Sequence, residues 1–429
     1  MNILVIGNGF DLAHGLPTKY TDFLEFCEKF LNIIGCMETI EVHEIYNDEK
    51  PVNKFICDLS NDYKLGRELS NLLKNNIWLE YFLEKKSSLK ENWIDFEGEI
   101  SDVIESIDVG MDNGLVPRKL SSEIIRLKNV FFNNRFTNYV PEYLQATAEE
   151  QEKIKKPPIS YKELRDILLT DLNKLIRVFE IYLTEFVEKI DIKEKSPDIE
   201  NIIMKIKQSG NESYILNFNY THIIQKCYLS RYKNDLIKDM DYIHGEANIN
   251  NTIKTENIVL GIGEYLPDDE KDKKTDFIAF KKFYQRIYKG TGSKYKEWLE
   301  QIQKKYFSAL QNETNFMDMM KAAYSRKEQD DMWLWYMAAQ NNNQSKNEIH
   351  NLYIFGHSLD VTDGDILRDL ILNDNVHTTI FYYNRDVMGQ QIANLVKVIG
   401  QDELIRRTGG STKTIVFEPQ KPMVPIEKQ

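Results

Sequence analysis

The chain lacks most of what staples a small secreted fold or builds a membrane protein. Only four cysteines occur in 429 residues, Cys27, Cys36, Cys57 and Cys227, with no CxxC pair and no regular spacing. That pattern excludes a disulfide framework and a closed thiolate zinc site, and no metal is expected. Reduced, mostly buried thiols in the cytosol explain these residues best. No apolar run approaches the length that crosses a bilayer. The opening MNILVIGNG offers no basic n-region, apolar h-region or cleavage site. A cytoplasmic location without a membrane partner is therefore expected. Positive charge is also short: 55 Lys and Arg against 67 Asp and Glu leave a net charge of −12. Such a surface repels polyanions, so nucleic acid is not an expected partner. The local cluster Lys153, Lys155 and Lys156 runs into Pro157 and Pro158 and reads as a solvated loop. Internal repeats and low-complexity tracts are lacking too, and Asn341 to Asn343 reads as a polar loop.

What is present suits a sizeable core. Apolar residues make up 42% of the chain and aromatic residues 11%, which argues against disorder. The length allows about two to three domain-sized units. Asn2 to Gly7 reads as a short buried strand, an Ile3-Leu4-Val5-Ile6 run ending at glycine. Thr18 or Thr21 can cap a helix through Phe23, Leu24, Cys27 and Phe30. From about Tyr63 to Gly210 the pattern is largely helical, most clearly over Tyr161 to Ile190, where Leu164, Leu168, Leu172 and Leu175 recur at helical spacing. Strand signals resume at Ser213 to Phe218, Asp241 to Ile243 and Asn257 to Gly261. They return after a second helical stretch at Leu352 to Phe355, His377 to Tyr383 and Thr412 to Phe417. Helices are expected over Asp365 to Leu372 and Arg385 to Ile399. Alternation of this kind predicts an α/β fold with a Rossmann-like, mainly parallel sheet and large helical insertions. Residues 1–62, 211–265 and 346–429 would form the nucleotide-binding core, with 63–210 and 266–345 inserted.

In open parallel sheets, ligands sit beyond the carboxyl ends of the strands, and the unusual polar groups cluster at those predicted ends. Gly7-Asn8-Gly9-Phe10-Asp11 follows the first strand and Asn219-Tyr220-Thr221-His222 follows SYILNF. His244-Gly245 follows DYI, Gly356-His357-Ser358 follows LYIF, and Asn384 follows TIFYY. Gly7 and Gly9 allow close backbone approach to a phosphate, or simply an ordinary strand-to-helix turn. Asp11 could bond a ribose hydroxyl or cap the segment from Leu12. His244 can act as a general base or be a structural histidine. Asn219 could orient a water or a ligand amide, or cap a helix near Thr221. Ser358 occupies a turn of the kind that receives phosphate at a helix N-terminus; Asp360 and Asp363 can cap that helix, and Asp363 reads mainly as a cap. Trp333, Trp335 and Tyr336 read as packing residues. Asp95 and Glu97, two apart on a helix, do not share a face, which disfavours a metal pair, although Glu97 could reach the pocket.

These motifs together resemble the bacterial abortive-infection AbiH family of phage-defence proteins. The resemblance rests on GNGFDLAHGLPTKYTDF (Gly7 to Phe23), NWIDFE (Asn92 to Glu97), NFNYTH (Asn217 to His222), the His244-Gly245 pair and FGHSLDVTDGDIL (Phe355 to Leu367). A more distant resemblance, in the order of glycine turn, Asn segment, His-Gly and G-x-S-L, is to sirtuin-type NAD-binding proteins, which include defence enzymes that destroy NAD. That likeness implies that Gly7 and Gly9, with Asn8, Phe10 and Asp11, would lie along the diphosphate. Asn219 would sit beside the nicotinamide ribose and His244 would take the catalytic position. Gly356, His357, Ser358 and Asn384 would meet the adenosine side. The chain departs from sirtuins in the Phe10-Asp11 pair, in Thr221, and in having no four-cysteine zinc module, which counts against deacylation. The expectation is a phage-defence effector that takes NAD as its substrate and acts as an NAD glycohydrolase. It would be restrained before infection by oligomer assembly or a phage component. A non-catalytic nucleotide sensor and a nuclease-type toxin are the alternatives.

Overall fold

The computed structural model describes residues 1–36, 51–88, 94–112, 161–232, 236–304 and 348–426, with 306, 311, 314, 315 and 318. Trp93, the lysine cluster before Pro157, the aromatic group at Trp333 and the Asn341 run lie outside the described residues. Six strands form one sheet: β1 (Asn2–Ile6), β2 (Ser213–Asn217), β3 (Asp239–Tyr242), β4 (His350–Phe355), β5 (Val376–Tyr382) and β6 (Ile415–Pro419). All are parallel, in the spatial order β3-β2-β1-β4-β5-β6. This is the doubly wound Rossmann order, and the chain reverses direction across the sheet between β1 and β4. The expected Rossmann-like architecture with helical insertions is the one found.

The strand sequences explain the layering. Side chains alternate across a strand, so Leu4 and Ile6 of β1, Ile215 of β2, Phe355 of β4 and Phe381 of β5 point to one apolar layer. Ile3, Val5, Tyr214, Leu216, Leu352, Ile354 and Ile380 point to the other. The first layer is covered by the helices Tyr20–Cys36, Ile77–Ser88, Phe96–Asp112, Tyr161–Glu185 and Pro197–Ser209. The second is covered by Gly364–Ile371, Arg385–Ile399, Gln401–Thr408 and the helical residues 295–304. The inserted helices thus pack straight onto the sheet. Glu194–Lys195 also pairs antiparallel with Val424–Pro425, which ties the end of the described chain to that helical layer.

Local chemistry sets the boundaries. Ser196 caps Pro197–Ser209 by accepting from the Ile199 amide at 3.4 Å, and Gly210 ends the helix in the left-handed region. Register at the amino end of the sheet is fixed by side chains. Asn2 donates to the Ser213 hydroxyl at 3.2 Å and accepts from Asn351 at 3.0 Å. Two expectations need correction. Asn257 to Gly261 forms no strand: the Val259 amide donates to the His244 carbonyl at 2.7 Å and Leu260 is bonded to Gln285, with an isolated bridge following between Ile262 and Lys281, so the chain runs alongside the Lys282–Lys289 helix. Neither Thr18 nor Thr21 is placed to cap the helix that starts at Tyr20: Thr18 lies two residues before it, with its hydroxyl on Asn8 Oδ1 at 2.6 Å, and Thr21 lies inside it.

Two glycines that share a positive φ separate conformation from packing. Gly356 (φ +70°) would place a Cβ 2.2 Å from the Phe10 amide nitrogen, whereas Gly290 (φ +67°, ψ +37°) has open space around it. Left-handed backbone costs an alanine roughly 1–2 kcal/mol. In denaturant titrations Gly290→Ala should lose about that much, and Gly356→Ala clearly more. Equal losses would mean that the turn after β4 relaxes freely.

Candidate active site

Paired register places Ile6, Asn217, Tyr242, Phe355 and Phe381 level with one another, so the residues that follow these strands share one rim. At the switch point the turn after β1 lies directly on the backbone leaving β4. The Gly7 amide donates to the Phe355 carbonyl at 3.1 Å and the Gly9 amide to the Gly356 carbonyl at 2.7 Å. A Cβ on Gly9 would stand 2.8 Å from Gly356, so glycine is required here by backbone packing. Both amides serve this contact. Phe10 is wholly buried against the rings of His14, Tyr228 and Phe355. Asn8 is exposed and paired with Thr18.

Asp11 lies inside the short Asn8–Ala13 helix, so it does not cap the segment from Leu12. Its Oδ2 accepts from the Thr221 hydroxyl at 2.7 Å, and its buried Oδ1 has no partner. Burial pushes this carboxyl up to about 7, against the opposing Thr221 hydrogen bond. Asn219 follows β2 with its amide fixed by Asn217 Oδ1 at 2.9 Å. Its side chain is 4% exposed, yet neither Nδ2 nor Oδ1 has a partner. A capping side chain would accept a backbone amide, so Asn219 is not a cap. Buried carboxamides without partners are costly.

The histidines separate by what their ring nitrogens touch. Both nitrogens of His14 are taken, by the Phe10 carbonyl and the Tyr228 hydroxyl at 2.7 Å each. His222 is clamped between Glu188 at 2.9 Å and Glu246 at 3.2 Å, and these bonds raise it to about 9. His357 accepts from the Leu359 amide at 2.9 Å and stands 3.7 Å from Asp363. His244 differs. Its Nε2 faces Asp363 Oδ1 at 3.3 Å, while its buried Nδ1 has no partner. With the proton on Nε2 toward the carboxylate, Nδ1 carries a free lone pair. Burial lowers this imidazole below the usual value, outweighing the pull of Asp363, so it is neutral at pH 7 and able to accept a proton. Phe218 and Tyr220, on either side of Asn219, lie with ring centroids 5.5 and 6.3 Å from His244. Gly245 leaves no room for any larger residue: a Cβ there would stand 2.0 Å from the Asn257 carbonyl oxygen.

Behind His244 stands a buried ionic group. Lys282 Nζ bridges Glu97 at 2.8 Å and Asp363 at 2.9 Å and donates to the Thr362 hydroxyl at 3.1 Å. Burial would raise the Asp363 carboxyl, but Lys282 and His244 hold it well below its usual range. Asp363 therefore is not the helix cap it was expected to be. Asp360 caps the short 3-10 turn Val361–Asp363 through the Thr362 amide at 2.9 Å, while Asp363 stands at the head of Gly364–Ile371 and makes no capping bond, its carboxylate turned to Lys282 and His244 instead. No sequence signal marked Lys282, which sits in a charged aromatic stretch like many others. Among the described residues, no group of three or more His, Cys, Asp or Glu is placed to hold a metal ion, and none of the helices is long and apolar enough to cross a membrane.

The remaining candidates serve the adjoining helix. Asn384 is exposed and caps Arg385–Ile399 by accepting from the Val387 amide at 2.9 Å. Ser358 is exposed, and its carbonyl accepts from Asn394 at 2.9 Å, as that of His357 does from Gln391 at 3.0 Å. Between them Leu359, fully buried, holds a left-handed φ of +61°. A branched residue there is strained backbone of the kind that accompanies functional sites.

The doubly wound parallel sheet defines a Rossmann-type α/β protein, and the orphaned polar groups make its rim the candidate ligand site. The sequence matches the family described as bacteriophage abortive infection AbiH over residues 3–383, and the chain belongs to that family. Membership implies a role in abortive infection. No curated protein and no solved structure matches the chain.

Asp11 gives the rim a pH signature. Its carboxyl is raised from 3.8 to about 7, so between those values the folded state holds a proton that the unfolded state releases. Stability from this group is present below pH 3.8 and lost as pH rises through about 7. Thermal melts of wild type and Asp11→Asn should diverge across that window, the variant becoming relatively more stable at higher pH. A difference that is constant with pH would show Asp11 to be ordinary.

Proposed function

We propose that the chain is an abortive-infection effector that binds NAD at this rim and hydrolyses its nicotinamide–ribose bond. The observation that carries the reading is the buried, unpartnered Nδ1 of His244 next to an unpartnered Asn219 carboxamide. Buried polar atoms without partners mark places where a polar ligand completes the bonding. NAD supplies what they lack. Its ribose hydroxyls and the attacking water can donate to His244 Nδ1, and its carboxamide can exchange two hydrogen bonds with Asn219. In the reaction, the bond between C1′ and the nicotinamide nitrogen breaks and its electron pair leaves with neutral nicotinamide. The water oxygen bonds to C1′, and the water proton passes to His244 Nδ1. The oxocarbenium-like transition state of such chemistry is positive, and the Asp363 carboxylate, held ionised behind His244, favours it. The diphosphate would pass over the glycine turn and the adenosine half toward Ser358. Restraint before infection would come from a phage component or from self-assembly.

The decisive test incubates purified protein with NAD and separates the products by chromatography. Free nicotinamide with ADP-ribose is expected. His244→Gln should lower the rate by about 10²–10⁴, the usual worth of a positioned base, with thermal stability kept. Because burial lowers His244 from 6.5, the rate should stay level through neutral pH and fall only below that value. Full turnover by folded His244→Gln would end the proposed mechanism, and binding without products would make the protein a nucleotide sensor. Gly9→Val is not a clean binding variant, since its side chain would strike Gly356 and break the β1–β4 contact.

A further inference from the structure

Three charges from distant parts of the chain are buried behind His244. Glu97 opens the Phe96–Asp112 helix, Lys282 opens the Lys282–Lys289 helix, and Asp363 precedes Gly364–Ile371. Lys282 is 3% exposed and touches both carboxylates. Burying ions costs several kcal/mol each before pairing, and apolar residues of the same size hold a core as well or better. Packing alone therefore gives no reason for this group. Its geometry does. Asp363 Oδ1 is shared by Lys282 Nζ at 2.9 Å and His244 Nε2 at 3.3 Å.

We propose that Lys282 is a positioning residue, which keeps Asp363 an acceptor and thereby fixes the proton of His244 on Nε2 and the lone pair on Nδ1. Without the ammonium, a carboxyl as buried as Asp363 gains a proton and turns into a donor. The imidazole then loses the partner that selects its tautomer. Glu97 lies on the other side of Lys282, where burial raises its carboxyl to about 7 against the pull of the ammonium, and it also accepts from Thr362 at 3.3 Å. The charged and titratable groups facing His244 are Asp363, Lys282, Arg286 and His357. Arg286 is engaged by Asp365, so Lys282 is the cation that acts on Asp363. The significance for catalysis rests on the reading of His244 as the base, but the tautomer itself does not.

Nitrogen-15 NMR of histidine-labelled full-length protein reads this directly, with the His244 signals assigned by their loss in His244→Gln. Wild type should show a protonated Nε2 and an unprotonated Nδ1 across neutral pH. Lys282→Met should shift the ring to the Nδ1-protonated neutral tautomer or a mixture of the two tautomers, while Lys282→Arg should keep the wild-type pattern. If Lys282→Met does not fold, the Lys282→Gln/Glu97→Gln double variant removes one charge of each sign and preserves the buried total. It should show the same change. In NAD hydrolysis, the folded variant should lose about tenfold or more in kcat with KM within about threefold. An unchanged His244 pattern in a folded variant without the lysine overturns the proposal. Absent NAD cleavage with the tautomer switch intact would sink the enzyme reading and leave this one standing.

Discussion

Where β1 ends, its turn rests on the backbone that leaves β4, and two hydrogen bonds hold them together, Gly7 to Phe355 and Gly9 to Gly356. Neither side has space for a Cβ. This contact closes the sheet at the point where its winding reverses, and everything on the rim is located from it. Asp11 extends from the short helix begun by the turn and reaches Thr221 beyond β2. On the β4 side, the left-handed backbone of Gly356 and Leu359 brings His357 inward and sets Asp363 against His244. The glycines of the opening motif therefore act first on the fold and through it on the site.

The electrostatics of the rim follow from how unevenly its polar groups are satisfied. His14, His222 and His357 are bonded into their surroundings; its two glutamates raise His222, whereas burial lowers His14 and His357. His244 has one nitrogen committed and one open. The ions behind it are all paired, and the neutral groups in front, Asn219 among them, are not. A protein interior tolerates unmade hydrogen bonds poorly; single unpartnered atoms also occur at Glu256, Asn375, Thr378 and Gln391, but those of Asp11, Asn219 and His244 gather at the ends of β1 to β3. They sit where a doubly wound sheet presents its ligands.

Much of this was legible in the residues themselves. The Ile3 to Ile6 run ending at glycine could only be a central strand, and the recurring polar motif after each apolar run placed Gly7, Asn219, His244 and Gly356 on one rim. Sequence reasoning failed where two residues compete for one local role. Asp360 and Asp363 are both plausible caps, and only the fold shows that Asp360 caps the short turn before the helix while Asp363 caps nothing. It failed again where a partner arrives from far along the chain. Lys282 carries no mark of burial, since lysine is usually solvated, and its pairing with Glu97 and Asp363 depends on how both insertions return to the sheet. Asn257 to Gly261 has strand-like residues, but its amides and carbonyls are taken by Gln285 and the neighbouring loop, so no ladder forms.

The chain order of the sheet also has a consequence for how the protein is made. β1 is finished by residue 6, yet its neighbours in the sheet are β2, from residue 213, and β4, from residue 350. Translation at about 5–20 residues per second puts tens of seconds between the first strand and the partner that closes the switch point. The rim draws on residues from Asp11 to Asp363, so a nascent or truncated chain has none of it in working order. In a chain of the abortive-infection family, the rim residues Asp11, Thr221, His244 and Asp363 therefore meet only late, once β4 has joined the sheet.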